Sequence, residues 1–142
     1  MKFRYFPHPL NPKVTFPLVT ANIQGPKKAL ELQCFVDSGA ENDSFPISVA
    51  QRIGIPIESC PSESIFGIGG EVRCYLFEVE IVIEDYSFRT EAQFLEPSRL
   101  QINGQSVLRD IPPLLGRKNT FSNFKIIFDE ANQELELIPY HQ

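Results

Sequence analysis

The sequence predicts a mainly β domain, on three observations. Short apolar runs are punctuated by prolines and glycines along the whole chain, and residues 77–94 alternate between apolar and polar side chains at a period of two. Helical signals are confined to two short stretches. At 142 residues the chain suits one domain with a real core.

Taken in order, Pro7, Pro9, Pro12 and Pro17 make residues 1–13 an extended arm, because proline removes a backbone donor and is tolerated only at sheet edges. The domain proper is expected over residues 14–142, with regular structure beginning near Val14. Strands are predicted over 14–24 and 29–36, joined by a turn at Gly25-Pro26. Ser44-Phe45-Pro46 reads as a helix start and Gly54 as its stop. Pro56 and Pro61 then return the chain to extended form.

The clearest pattern follows. Phe77, Val79, Ile81 and Ile83 oppose Glu78, Glu80 and Glu84, and Tyr86, Phe88, Thr90, Ala92 and Phe94 oppose Ser87, Arg89, Glu91 and Gln93, which predicts a half-buried antiparallel hairpin. Residues 96–110 are polar without a clear period. Pro112-Pro113-Leu114-Leu115-Gly116-Arg117 then reads as a rigid entry, a short strand and a glycine exit. A helical turn over 119–124 and two strands over 125–129 and 134–138 complete the chain.

Composition excludes several function classes. The formal net charge is -5, and Lys27-Lys28 is the strongest basic cluster, so there is no nucleic-acid footprint. No apolar run approaches the length of a membrane span, and the start Met1-Lys2-Phe3-Arg4-Tyr5-Phe6-Pro7 is broken by prolines, unlike a signal peptide. The expected location is cytoplasmic. Cys34, Cys60 and Cys74 lack metal-type spacing, and His8 and His141 lie near opposite ends of the chain, so neither a metal site nor a histidine triad is expected. Cys60 and Cys74 flank a hairpin where they could face each other, with the reduced pair favoured in a cytoplasmic chain.

Three motifs carry chemistry. In Cys34-Phe35-Val36-Asp37-Ser38-Gly39-Ala40 an apolar strand delivers one carboxylate into a tight turn. Ile65-Phe66-Gly67-Ile68-Gly69-Gly70 is a glycine-rich hairpin tip, without the Lys-Ser/Thr of a phosphate loop or the spacing of a dinucleotide fingerprint. Leu114-Leu115-Gly116-Arg117 is the third. Each alone has a bland reading, as ordinary turn residues, a flexible hairpin end and a buried strand.

In this order the three motifs, with Phe124-Lys125-Ile126-Ile127-Phe128-Asp129 after them, resemble the retropepsin-like aspartic proteases, the single-domain homodimeric branch that includes retroviral proteases and bacterial relatives. The resemblance implies a closed, barrel-like β domain with a flap and one or two short helices. It implies that Asp37 pairs with Asp37 of a second subunit, since a chain this short is not two-lobed. The pair would share one proton and activate a water, with no cofactor.

The same resemblance assigns Ser38 to a hydroxyl link between the two loops and Gly39 to close approach of the substrate main chain. Ala40, Phe66, Gly67, Ile68, Gly69, Gly70 and Leu115 are implied in substrate binding, with large apolar residues around the cut. Glu41 and Arg117, beside Gly116, are implied as a bidentate pair that clamps the catalytic loop. Lys118 departs from the aspartate or asparagine often found after that arginine. Two other readings stand beside the peptidase: a non-catalytic homodimeric peptide-binding module, and an acidic structural β domain with a chance Asp-Ser-Gly.

Overall fold

A computed structural model describes residues 1–8, 10–67 and 70–141. Pro9, Ile68, Gly69 and Gln142 lie outside the described residues, and with Ile68 and Gly69 goes the expected flap tip. Strand pairing begins earlier than Val14. Strand β1 (Lys2–Arg4) runs antiparallel to the C-terminal β14 (Glu134–Pro139), with Phe3 opposite Leu135. Strands β2 (Phe6–His8) and β3 (Asn11–Phe16) form a hairpin of their own. The single strand expected over 14–24 is therefore two strands, because Pro17 supplies no donor at the break and β4 starts afresh at Leu18.

The centre of the molecule is a closed ring of strands. β4 (Leu18–Gln24) pairs antiparallel with β5 (Ala29–Val36), and β5 runs parallel to the two-residue β12 (Leu114–Leu115). β12 meets β6 (Ser44–Pro46), which lies parallel to β9 (Tyr86–Leu95). β9 pairs with β8 (Gly70–Ile83), whose far end returns to β4 through Asn22, Ile23 and Gln24. This last pairing closes the barrel. β7 (Ser62–Gly67) extends the sheet beyond β8 as a hairpin, with Gly67 opposite Gly70. Gly70 adopts a φ of 99°, a left-handed angle that glycine reaches without strain.

The period-two pattern over 77–94 does what it predicts. Phe77 faces Ala92, Val79 faces Thr90 and Ile81 faces Phe88 across β8 and β9, and these positions point into the barrel. Val19, Ala21 and Ile23 from β4 and Cys34 and Val36 from β5 meet them, all buried. The stacked rings of Phe45 and Phe94, with centroids 5.7 Å apart, belong to the same buried cluster as the small side chains of Ala21, Cys34 and Ala92.

Helix α1 (Ile47–Ile53) closes one end through Val49, Ala50 and Ile53. It stops at Gly54, whose φ of 86° turns the chain out of the helix while its N–H bonds Ala50 O. At the other side β13 (Phe124–Asp129) pairs with β14, and the Phe124 ring packs 4.8 Å from that of Tyr86.

One element was not legible as a period. Residues 96–110 contain a hairpin of β10 (Ser98–Ile102) and β11 (Gln105–Arg109), turned by Asn103 and Gly104 with φ of 51° and 77°. The Asn-Gly dipeptide is a strong hairpin signal that the weak alternation around it masks. Cys60 and Cys74 are not opposed either: Glu63 stands across from Cys74, and all three cysteines are free.

Truncating the central stack tests this core. Phe94→Ala is expected to cost about 3–5 kcal/mol of unfolding free energy, since the cavity lies against a closed barrel wall that cannot collapse into it. Chemical denaturation against the wild-type protein measures it, and a loss below about 1 kcal/mol would show that Phe94 is not a core residue.

Candidate active site

The site is built where two distant chain segments meet side by side. β5 and β12 are parallel, with Phe35 opposite Leu114 and Val36 opposite Leu115. Phe35 N–H donates to Pro113 O at 2.9 Å and Asp37 N–H donates to Leu115 O at 3.0 Å, so the register continues to the first residue of the turn. Asp37 therefore leaves the strand in one orientation. Its Oδ1 accepts the Gly39 N–H at 2.9 Å and its carbonyl accepts the Ala40 N–H at 3.2 Å, which closes the turn around the carboxylate.

Asp37 and Ala40 are half-buried, and Ser38 and Gly39 are exposed. Gly39 does not use a left-handed φ. Its importance is close approach: a Cβ there would stand 3.2 Å from Asp37 Oδ1, tighter than ordinary packing. Any side chain at 39 would thus press on the carboxylate the turn presents.

The second segment continues past β12 as a turn that backs the first. Arg117 N–H donates to Ala40 O at 2.9 Å, Lys118 N–H donates to Glu41 O at 2.8 Å, and the chain then enters α2 (Thr120–Asn123). Gly116 has no room for any side chain, because a Cβ would lie 2.5 Å from Asn42 O. The expected pairing of Glu41 with Arg117 does not form. Both side chains are exposed, and the ion pair seen among the described residues, Arg89 with Glu78, bridges β8 and β9 instead. Backbone hydrogen bonds join the two turns where an exposed ion pair was expected, and they do so without holding two long side chains in one rotamer.

A buried carboxyl adds to this junction. Asp43 is 0% exposed, and its Oδ1 accepts the Gly116 N–H at 2.7 Å and the Thr120 hydroxyl at 2.8 Å. Burial pushes this carboxyl above the ordinary aspartate range, opposed by hydrogen bonding from Gly116, Thr120 and Thr90. Thr90 in turn accepts the Asn119 side-chain amide at 2.7 Å. The sequence offered no sign of this role, since an aspartate in a polar turn is usually solvated.

Of the other expected site residues, Leu115 is 0% exposed and belongs to the core, so it does not line a surface subsite as expected; its contribution is the carbonyl that receives the Asp37 N–H. Phe66 is 83% exposed near the end of β7. Phe66, Gly67 and Gly70 lie together on the β7–β8 hairpin, while Ile68 and Gly69 are outside the described residues. Among the described residues no group of three or more His, Cys, Asp or Glu is arranged to hold a metal, and no helix is long and apolar enough to cross a membrane.

Solved structures with the same architecture include a retropepsin-like aspartic protease from Rickettsia conorii, 15% identical, with a TM-score of 0.60 over 97% of this chain and 98% of that one. The retroviral protease-like domain of Ddi1 from Leishmania major is 15% identical, with a TM-score of 0.58 over 91% of this chain and 98% of that one. EIAV protease, solved with the inhibitor HBY-793, is 19% identical over 72% of this chain and 82% of its own, with a TM-score of 0.50. No protein-family model and no curated protein matches the sequence. The likeness is one of fold: this chain has the fold of the retropepsin-like aspartic proteases, with Asp-Ser-Gly at the end of β5.

Gly116→Ala tests the junction behind the carboxylate. The methyl would push the Asn42 backbone away, and we expect a loss of about 1–3 kcal/mol in unfolding free energy, the usual cost of overpacking. An unchanged denaturation midpoint would show that the two turns are not in contact.

Proposed function

We propose that this chain is an aspartic endopeptidase that acts on extended polypeptide as a homodimer, with the reacting pair made of Asp37 from each of two subunits. The observation that supports it most is the placement of Asp37: a half-buried carboxylate at the end of a barrel strand, held by the Gly39 N–H, on a retropepsin-like fold. Each chain supplies one such turn. Two apposed carboxyls hold one proton between them, because both cannot be ionised cheaply at close range.

The ionised member takes a proton from a water, whose oxygen attacks the carbonyl carbon of the substrate peptide. The other member donates its proton to the carbonyl oxygen. Collapse of the resulting gem-diol breaks the C–N bond as the nitrogen is protonated, and the pair returns to its starting state. Ser38 links the two turns through its hydroxyl, and the exposed Gly39 and half-buried Ala40 admit the substrate backbone. The β7–β8 hairpin is the flap, with Phe66, Gly67 and Gly70 near its end among the described residues, and closure over an extended peptide would exclude water from the pair. A cytoplasmic location and apolar residues at the cut complete the reading.

Asp37→Asn is expected to fold and dimerise while cleavage of a peptide pool drops by about a hundred-fold or more, since the amide cannot take the water's proton. Wild-type turnover by this variant would overturn the mechanism. Retained peptide binding with no cleavage by the wild type would instead select the non-catalytic binding module.

Specific activity should also fall when the protein is diluted through its dimer dissociation, and excess Asp37→Asn subunits should suppress the wild type by forming mixed dimers. Constant specific activity down to demonstrably monomeric protein is the result that this assembly cannot accommodate.

A further inference from the structure

Asp43 is a titratable group that the proposed chemistry does not touch, yet it lies at the junction that places Asp37. Its main chain is tied to β9, since Asp43 O accepts the Gln93 N–H at 2.9 Å. The side chain is fully enclosed, and its two oxygens differ sharply. Oδ1 has two well-formed donors, whereas Oδ2 is buried and makes no well-formed hydrogen bond, the Thr90 hydroxyl being the one further donor that bears on the carboxyl. An ionised carboxylate spreads its charge over both oxygens and calls for donors or a cation at each, so this environment suits one carbonyl-like oxygen and one hydroxyl.

The surrounding groups agree. Gly116 and Thr120 face the carboxyl from the turn after β12 and from α2, Thr90 from β9, and the Cys34 thiol from β5. Of these only Cys34 titrates, and burial first and Asp43 second push its thiol up to about 12, which keeps it neutral.

We propose that Asp43 is a positioning residue for Asp37, holding the turn after β12 as a neutral acid that accepts at Oδ1 and carries its proton on Oδ2. The path is short. Asp43 holds Gly116, the next residue donates its N–H to Ala40 O, and Ala40 closes the turn around Asp37. The proposal relies on the peptidase reading only for what Asp37 does, and the positioning itself is read without any cleavage. Its pH dependence has a definite sign. Because the folded state raises the Asp43 carboxyl above its unfolded value, the stabilisation is fully present below the ordinary aspartate range, about 4, and is lost as pH rises through the folded-state value. Ionisation then puts a charge into an enclosed site where only Oδ1 is well served by donors, and the cost of burying it falls on the folded junction.

The test compares wild type, Asp43→Asn and Asp43→Ala as full chains across a pH series. Amide hydrogen exchange at Gly39, Ala40, Gly116, Arg117 and Lys118, expressed as protection factors, reports the junction directly. Asparagine keeps an acceptor at Oδ1 and cannot ionise, so Asp43→Asn should hold its protection and thermal midpoint where the wild type loses them with rising pH. Asp43→Ala should lose about ten-fold or more in protection at these amides at every pH, and in cleavage assays should lower kcat with little change in KM. Should the alanine variant fail to fold, the comparison of wild type with Asp43→Asn still decides. Parallel pH profiles for those two proteins, or full protection in Asp43→Ala, would overturn the proposal. Absence of cleavage by every protein would count against the peptidase reading alone, because exchange does not depend on it.

Discussion

The parallel pairing of β5 with β12 is the constraint on which the rest of this structure depends. Two residues, Leu114 and Leu115, are all that β12 contributes, yet they bring a turn from late in the chain against one from its first third. Parallel neighbours cannot be joined by a tight turn, so the chain between them makes the long excursion through β6, α1 and the β8–β9 hairpin. With the pairing formed, the Asp37 N–H has a fixed acceptor in Leu115 O, and the carboxylate is aimed by the sheet. The site is rigid because it grows from a barrel strand, while its residues lie in the turn beyond it.

The junction behind that turn shows how a small β domain handles polar groups at a crowded crossing. Ala40 O, Glu41 O and the Gly116 N–H face inward where two turns stack, and an unpaired buried backbone group there would be costly. Backbone partners satisfy two of them and the Asp43 carboxyl satisfies the third. Gly116 is required by space, as its Cβ position is already filled by the Asn42 backbone. A carboxyl is an unusual choice for a fully enclosed position, and its acceptance rests on the amide and hydroxyl donors that converge on one oxygen.

Under the proposed chemistry, one chain supplies one of the two carboxyls the reaction needs. The Asp37 turn is exposed at Ser38 and Gly39, and Phe66 at the end of β7 is largely in solvent, where a monomeric enzyme would bury its reacting groups in a cleft of its own. A large apolar side chain left in solvent, as Phe66 is, is available to a second chain or a substrate. This is why the proposed activity is tied to assembly.

The sequence by itself determined the mainly β class, the alternating β8–β9 hairpin, the short α1 ended by Gly54, and the delivery of Asp37 into a turn by an apolar strand, because each is local: period, caps and turn residues act over a few positions. Pro17 and the Asn103-Gly104 turn were also written locally, though overshadowed by their surroundings. Tertiary structure alone decided the rest. The pairing of β1 with β14, the closure of β4 on β8, the burial of Leu115 and the sealing of Asp43 under Gly116 and Thr120 all join residues far apart in the chain. The choice between an exposed Glu41–Arg117 pair and a buried Asp43 turned on which acidic side chain the closed barrel enclosed, and burial of that kind has no period or spacing by which a sequence could announce it.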